Sequence, residues 1–346
     1  MTWIVPQHSR NRVKRAGSSV LRADTHSDEF NQAVSVFLNW RAAHAYPMQI
    51  MLLLLRRHAS RVDSRTIVVQ RLKRTGSIFM KLHRERNMSL NRMHDIAGCR
   101  AVVRNIAGAR RVYDSLRTSR TRNILFREYD YITTPRDSGY RGLHLIYKYN
   151  GGRTAFQDML VELQIRSRIQ HSWATAVEIV GTFTKQALKA SHGDSRWLDF
   201  FKYTSAEFAR LEGCEVADQR QARDGRQRLC ELFAELDVAR RMPAFSVAAR
   251  AISKTRVRGA GYFVLMLDVG DGIVRWNWYS KTRAAEATAF YDSMEERHRS
   301  DDDKDIVLVS ADSVRELKRA YPNYFADSHE FAGNLKRALE SVGGCA

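Results

Sequence analysis

Residues 66–103 read TIVVQRLKRTGSIFMKLHRERNMSLNRMHDIAGCRAVV, and the fold turns on how that stretch divides. It opens on Thr66-Ile67-Val68-Val69, a short β-branched run that suits a strand. It closes on Ile96 to Val103, an apolar run that reads as a buried strand. Between them, in RLKRTGSIFMKLHRER, Arg71, Lys73, Arg74, Ser77, Lys81, Arg84 and Arg86 alternate with apolar residues around Gly76-Ser77. A triphosphate needs fixed positive charge, and a Gly-Ser turn lets backbone N–H groups reach its oxygens. Basic residues at helical spacing are commonly a solvated face, but six Lys/Arg and Ser77 within 16 residues around that turn favour phosphate binding.

Downstream, Ala107 to Ser119 reads as a helix and Phe126 to Ile132 as a strand. A turn-rich loop, DYITTPRDSGYRGLH (130–144), leads into strands at Gly142–Tyr149 and Met159–Ile165 and a helix carrying His171, Trp173 and Glu178. Strands and helices mixed in this order predict an α/β (α+β) core, a mixed sheet flanked by helices. Upstream, apolar residues recur at helical spacing from Asp28 to Arg61 with a break near Tyr46-Pro47, so two helices fit. Residues 1–26 are polar and basic without a clear period and read as a mobile arm.

Residues 195–241 are helical in pattern. A last unit starts near Arg258, where Tyr262–Asp268 and Ile273–Tyr279 flank Gly270-Asp271-Gly272 as a hairpin. A helix (Ala284–Arg297), an acidic loop (Asp301, Asp302, Asp303), a strand (Ile306–Ser310) and two further helices predict a small C-terminal ββαβα unit. The expected division is a basic arm and helical region (1–64), a core domain (65–190), a helical connector (191–255) and the C-terminal unit (256–346).

Hydrophobic residues make up 44% of the chain, which suits a globular protein. The apolar run Ile50–Leu55 is far short of the roughly 20 residues that a membrane span needs, and no signal peptide is expected at the start. Cys99, Cys214, Cys230 and Cys345 lie far apart without a CxxC pair, so neither a zinc ribbon nor a disulfide framework is suggested, and a cytoplasmic setting fits. Of the net charge of +19, residues 1–130 carry +16, so the basic excess sits where polyphosphate or RNA would be met.

Two carboxylates stand out. Asp95 immediately precedes the strand at Ile96, and Glu162 lies on the strand Val161–Arg166, where alternation puts Glu162, Gln164 and Arg166 on one face. Such a pair suits magnesium-dependent phosphoryl transfer, because Mg²⁺ takes a few carboxylate oxygens and keeps positions for water and phosphate. The 130–144 loop adds Arg136, Tyr140, Arg141 and His144 around a glycine turn, a platform for stacking a base and neutralising its phosphates.

The ordered patterns RxKxxxSIxxK (71–81), HDIAGCR (94–100), DYIxxPRxxGYRxLH (130–144), ExQIR (162–166) and QHxWA (170–174) resemble the synthetase domain of RelA/SpoT proteins over about residues 65–190. The resemblance implies a nucleotidyltransferase-like fold and a pyrophosphokinase that moves the β,γ-pyrophosphate of ATP to a ribose 3′-hydroxyl. It implies that Arg71 and Arg100 sandwich the adenine, and that Lys73, Ser77, Lys81 and Arg84 hold the phosphates. Asp95 and Glu162 would ligate Mg²⁺, with Glu162 also taking the proton of the attacking hydroxyl. Tyr140 would stack on the acceptor base, and Arg136, His144 and Gln164 would fix the acceptor nucleotide. Arg136 stands where the family commonly has lysine, and Gly142 where it has serine.

Two acceptors are in play under this resemblance. GDP or GTP would give the alarmone (p)ppGpp; the 3′ end of tRNA would make the protein a growth-inhibiting toxin of the kind linked to phage defence and to a phage-encoded trigger. The basic arm Arg10, Arg12, Lys14 and Arg15 suits RNA, and Tyr321-Pro322-Asn323-Tyr324 looks like the YxxY motif of fused toxin–antitoxin members, whose C-terminal domain blocks the ATP site. Two tyrosines beside a proline are also ordinary packing at a helix end. A catalytically inactive nucleotide or RNA sensor is a further reading, and a homo-oligomer is compatible with all three. His94-Asp95 falls inside the synthetase motif and residues before 65 lack His/Asp clusters, so no alarmone hydrolysis is expected.

Overall fold

A computed structural model describes residues 3–184, 186, 188, 191–214, 219–242, 250–253, 257, 259–271, 273–298, 301, 303–311, 313–325 and 327–340. Arg258, Gly272, Asp302 and Cys345, used in the sequence reading, lie outside the described residues. The two strands form as anticipated, β1 (Ile67–Leu72) and β2 (Ala97–Val103), but Gly76-Ser77, expected as a turn, lies in the first turn of helix α4 (Thr75–Arg84). β3 (Ile124–Asp130), β4 (Leu143–Lys148) and β5 (Leu160–Ser167) follow, with α5 (Ile106–Arg117) after β2. The Asn105 side chain caps α5 by accepting from Gly108 N at 2.9 Å.

β5 runs directly into α6 (Arg168–Phe183), whose start is fixed by a reciprocal Ser167/Gln170 capping box. The motif ExQIR and the helix with His171 and Trp173 therefore form one rigid piece. β2 and β5 pair in parallel and β4 with β5 antiparallel, so β5 is flanked on both edges and buried along nearly its whole length. The face of this sheet against α3 (Ala45–Val62) and α5 is closed by Leu52, Leu55, Val68, Cys99, Val112, Leu145, Leu163 and Ile165.

The N-terminal arm corrects the expectation. Residues 10–19 form α1, capped by the Ser9 side chain, and Val13, Ala16 and Val20 are buried against Ala33, Val36, Phe37 and Trp40 of α2 (Asp28–Ala43). Those three apolar residues are a helical stripe too sparse to show among so many cations. Helices α7 (Ser195–Leu211) and α8 (Gln219–Glu235) fill the connector. Cys99 and Cys214 are free thiols, whereas Cys230 is in a disulfide, which the wide cysteine spacing did not suggest.

The C-terminal unit has the expected order. β7 (Gly261–Asp268) and β8 (Ile273–Ser280) form the hairpin, followed by α9 (Ala284–Arg297), β9 (Lys304–Ala311), α10 (Val314–Ala320) and α11 (His329–Glu340). A short strand β6 (Arg250–Ser253) runs parallel to β8. The unit joins the core sheet, with β9 antiparallel to β1 and Val309 opposite Arg71. One nine-stranded sheet results, in the order β3-β4-β5-β2-β1-β9-β7-β8-β6. Among the described residues no helix is long and apolar enough to cross a membrane.

Candidate active site

The strand registers assemble the site. Glu162 lies opposite Gly98 of β2 and Ile146 of β4; Gln164 lies opposite Arg100 and His144; Gly98 in turn lies opposite Arg71 of β1. Opposed residues point to the same side of a sheet, as do residues two apart on one strand. Arg71, Arg100, His144, Glu162, Gln164 and Arg166 therefore share one face, and that face forms a wall of a cleft of about 1500 Å³.

On one side of the cleft, Lys73 at the end of β1 and Lys81 on α4 each place Nζ 3.0 Å from Asp95 Oδ2. Burial alone would raise the Asp95 carboxyl, but the two ammonium groups outweigh it and hold it below its usual range. Asp95 Oδ1 is buried with no hydrogen-bond partner, which leaves one carboxylate oxygen for a cation. Glu162 is near enough for its charge to act on Asp95. Among the described residues no group of three or more His, Cys, Asp or Glu side chains could hold a metal. Two carboxylates nonetheless fit Mg²⁺, which keeps waters and takes substrate phosphates as ligands. Ser77 and Arg84 line the same side, with Arg84 paired to Glu85 at 3.2 Å.

On the other side lies the 130–144 loop. Gly139 has φ +85°, and a Cβ there would come within 3.0 Å of Lys202 Cα on α7, so only glycine suits this contact. Ser205 of α7 donates to the Gly139 carbonyl at 2.5 Å. Thus anchored, the loop brings Tyr140 Oη within 2.6 Å of His144 Nε2, while His144 Nδ1 donates to Glu162 Oε1 at 2.8 Å. Gln164 Nε2 donates to the other oxygen, Oε2, at 2.6 Å. Burial opposes both charges of the His144–Glu162 pair, yet each stabilises the other: Glu162 stays well below the usual carboxylate range, and Tyr140 and Glu162 raise His144 to about 9.

Arg136 lies over the Tyr131 ring, 4.5 Å from its centroid, and donates to its hydroxyl at 2.8 Å; its guanidinium is 5.9 Å from the Tyr140 ring. Tyr131, unassigned in the sequence reading, thus joins the platform, and its place one turn before the proline was the available signal. Arg141 instead donates to the Ile132 carbonyl at 3.0 Å and braces the loop.

The C-terminal unit meets the first side. Tyr321 is 1% exposed; its hydroxyl donates to the Gln70 carbonyl at 2.9 Å, and the Arg100 guanidinium is 5.5 Å from its ring centroid. Arg100 Nη2 also donates to the Ala320 carbonyl at 3.2 Å. Tyr324, equally buried, donates to Asp305 at 2.9 Å, and Asp305 is paired with Arg74. At the start of α4, Thr75 N and Oγ1 donate to the two oxygens of Glu295 on α9, at 3.1 and 2.6 Å. Arg41 of α2, 2% exposed, donates to the Lys73 carbonyl at 2.7 Å and to Tyr291 Oη at 2.8 Å. Glu295, Asp305 and Arg41 carry no local motif, so sequence patterns alone could not find them.

Residues 70–181 match the family model described as the region found in RelA / SpoT proteins. The GTP pyrophosphokinase YwaC of Bacillus subtilis (strain 168) is 34% identical over 118 residues, 34% of this chain and 53% of that protein. The chain thus spans about half the length of this curated relative. Small alarmone synthetase 1 from Bacillus subtilis is 23% identical with a TM-score of 0.42, covering 54% of this chain and 94% of that one. A GTP pyrophosphokinase family protein from Streptococcus pneumoniae is 21% identical with a TM-score of 0.41, covering 57% and 98%.

Proposed function

We propose that this chain, which carries a RelA/SpoT-family region at residues 70–181, transfers the β,γ-pyrophosphate of ATP to the 3′-hydroxyl of GDP or GTP and releases AMP. The observation that carries the reading is the placement of Asp95 and Glu162 between a lysine-lined side and an aromatic side of one cleft. Lys73, Lys81, Ser77 and Arg84 would hold the triphosphate, and Arg71 and Arg100 the adenine. Tyr140, with Arg136 and Tyr131 beside it, would stack on and steady the acceptor base. Glu162 would accept the hydroxyl proton: each of its oxygens already takes one hydrogen bond, and each retains a second lone pair for the incoming hydroxyl. His144 keeps that carboxylate ionised and oriented. Asp95 and Glu162 would hold Mg²⁺, which when bound neutralises the phosphate charge that builds up during transfer. The name of the Bacillus relative, a GTP pyrophosphokinase, favours a guanosine nucleotide as acceptor.

A second reading concerns control. The contacts of Tyr321 with Arg100, of Glu295 with Thr75 and of Asp305 with Arg74 favour a resting state in which the C-terminal unit competes with ATP. The carboxylate of Glu295 sits at a helix start that would otherwise suit a phosphate.

The acceptor is tested by incubating the chain with γ-labelled ATP and, separately, GDP, GTP, ADP or deacylated tRNA. Label is expected in the guanosine nucleotides. Label confined to the tRNA would replace this reading with the toxin one, and ATP consumption without a labelled acceptor would overturn both.

A further inference from the structure

On the acceptor wall five side chains close into a ring. Tyr140 meets His144, His144 meets Glu162 and Glu162 meets Gln164, at the distances given above. Arg166 completes it: Nη2 donates to Gln164 Oε1 at 3.0 Å, and Nε donates to Tyr140 Oη at 3.1 Å. Arg166 is the one member with no role in the reading above. It is 3% exposed, and its bonds go to a carboxamide and a phenol rather than to a carboxylate. A buried guanidinium is costly unless its donors are used. Its Nη1 is buried without a partner, although the residue borders the cleft. Packing alone does not account for such an arginine, because an apolar side chain would fill the space without the desolvation.

We propose that Arg166 is a positioning residue for the acceptor: its planar fork fixes the Tyr140 ring and the Gln164 carboxamide together, and Gln164 in turn fixes the Glu162 carboxylate. The fork geometry is the point, since lysine would keep the charge but could not hold two acceptors in fixed directions. The guanidinium also lies 5.0 Å from the Tyr140 ring centroid, so it restrains both the ring and its hydroxyl. This inference rests on the pyrophosphokinase reading, with Tyr140 and Gln164 as acceptor contacts.

The test is equilibrium binding of GDP and of a non-hydrolysable ATP analogue to the full chain, for wild type, Arg166→Lys, Arg166→Ala, Tyr140→Phe and Arg166→Lys/Tyr140→Phe. Arg166→Lys is expected to weaken GDP binding about tenfold or more, with the ATP-analogue affinity unchanged. Millimolar guanidinium in the buffer should restore GDP binding to Arg166→Ala and not to Arg166→Lys. The double variant should lose little beyond the weaker-binding single variant, because both changes open the same ring. GDP binding by Arg166→Lys at the wild-type level would overturn the proposal. So would equal weakening of both nucleotides, or losses that multiply in the double variant. If wild type itself failed to bind GDP, the acceptor reading would fall, a result distinct from any behaviour of the variants.

Discussion

His44 stands at the junction of α2 and α3, 1% exposed, with Nδ1 2.7 Å from the Trp40 carbonyl oxygen. Burial lowers its pKa from 6.5 to about 4, with the charges of Arg10 and Arg41 adding to the effect, so it is neutral in the folded chain at neutral pH. Between those two values the unfolded chain binds a proton that the folded chain refuses. Stability is therefore lost as pH falls from about 6.5 to about 4, by about 3 kcal/mol from this group. Arg41, three residues earlier on α2, braces the Lys73 carbonyl on the lysine-lined side of the cleft. Denaturant unfolding of wild type and His44→Asn across that range checks this: the variant should show a shallower acid dependence, and parallel curves would refute the assignment. At this scale the sequence was informative about the cleft and silent about its supports. Glu162, Gln164 and Arg166 could be put on one face by strand alternation. No periodicity reveals that Arg41 reaches Tyr291, because that contact exists only once the chain has folded.

At the scale of elements, the start of α4 and the Tyr321 segment belong together. Arg74 at the helix N-cap has no capping side chain of its own, and Glu295 of α9 supplies the acceptor that the first turn lacks. Glu295→Gln and Tyr321→Ala should each tighten binding of a non-hydrolysable ATP analogue, by about tenfold if each contact competes with the nucleotide. Unchanged affinity in both would count against competition by the C-terminal unit. Point variants are the better instrument here than truncation. Removing β9 would strip the partner from the edge of β1 and uncover Ile67, Val69 and Val102, which pack against Phe263, Val307 and Val309. An exposed apolar strand edge invites aggregation. The strands were legible because β-branched and apolar runs mark them; α1 was not, because its apolar stripe is only Val13, Ala16 and Val20 among cations.

For the whole molecule, the core region and the C-terminal unit share a single sheet, so the cleft face and the contacts of the C-terminal unit are set by one framework. The sequence suggested two separate units because every element of the join, the β1–β9 pairing, the side-chain contacts of Glu295 and Tyr321, and the packing of Phe331 and Leu335 with Trp173 and Phe201, brings together segments far apart in the chain. Lys73 and Lys81 belong to the segment 1–130 that carries +16 of the net charge of +19, a balance that favours an anionic donor. In the proposed reaction a pyrophosphoryl unit, and not a single phosphoryl group, leaves ATP. The most direct measurement follows ATP labelled separately at the α and β phosphates, with GDP as acceptor, for wild type, Tyr321→Ala, Asp95→Asn and Glu162→Gln. The account predicts β label in the guanosine product and α label in AMP, enhanced in Tyr321→Ala and reduced about a thousandfold or more in the two carboxylate variants. Label from the β phosphate appearing in ADP, with none reaching the guanosine nucleotide, would contradict it.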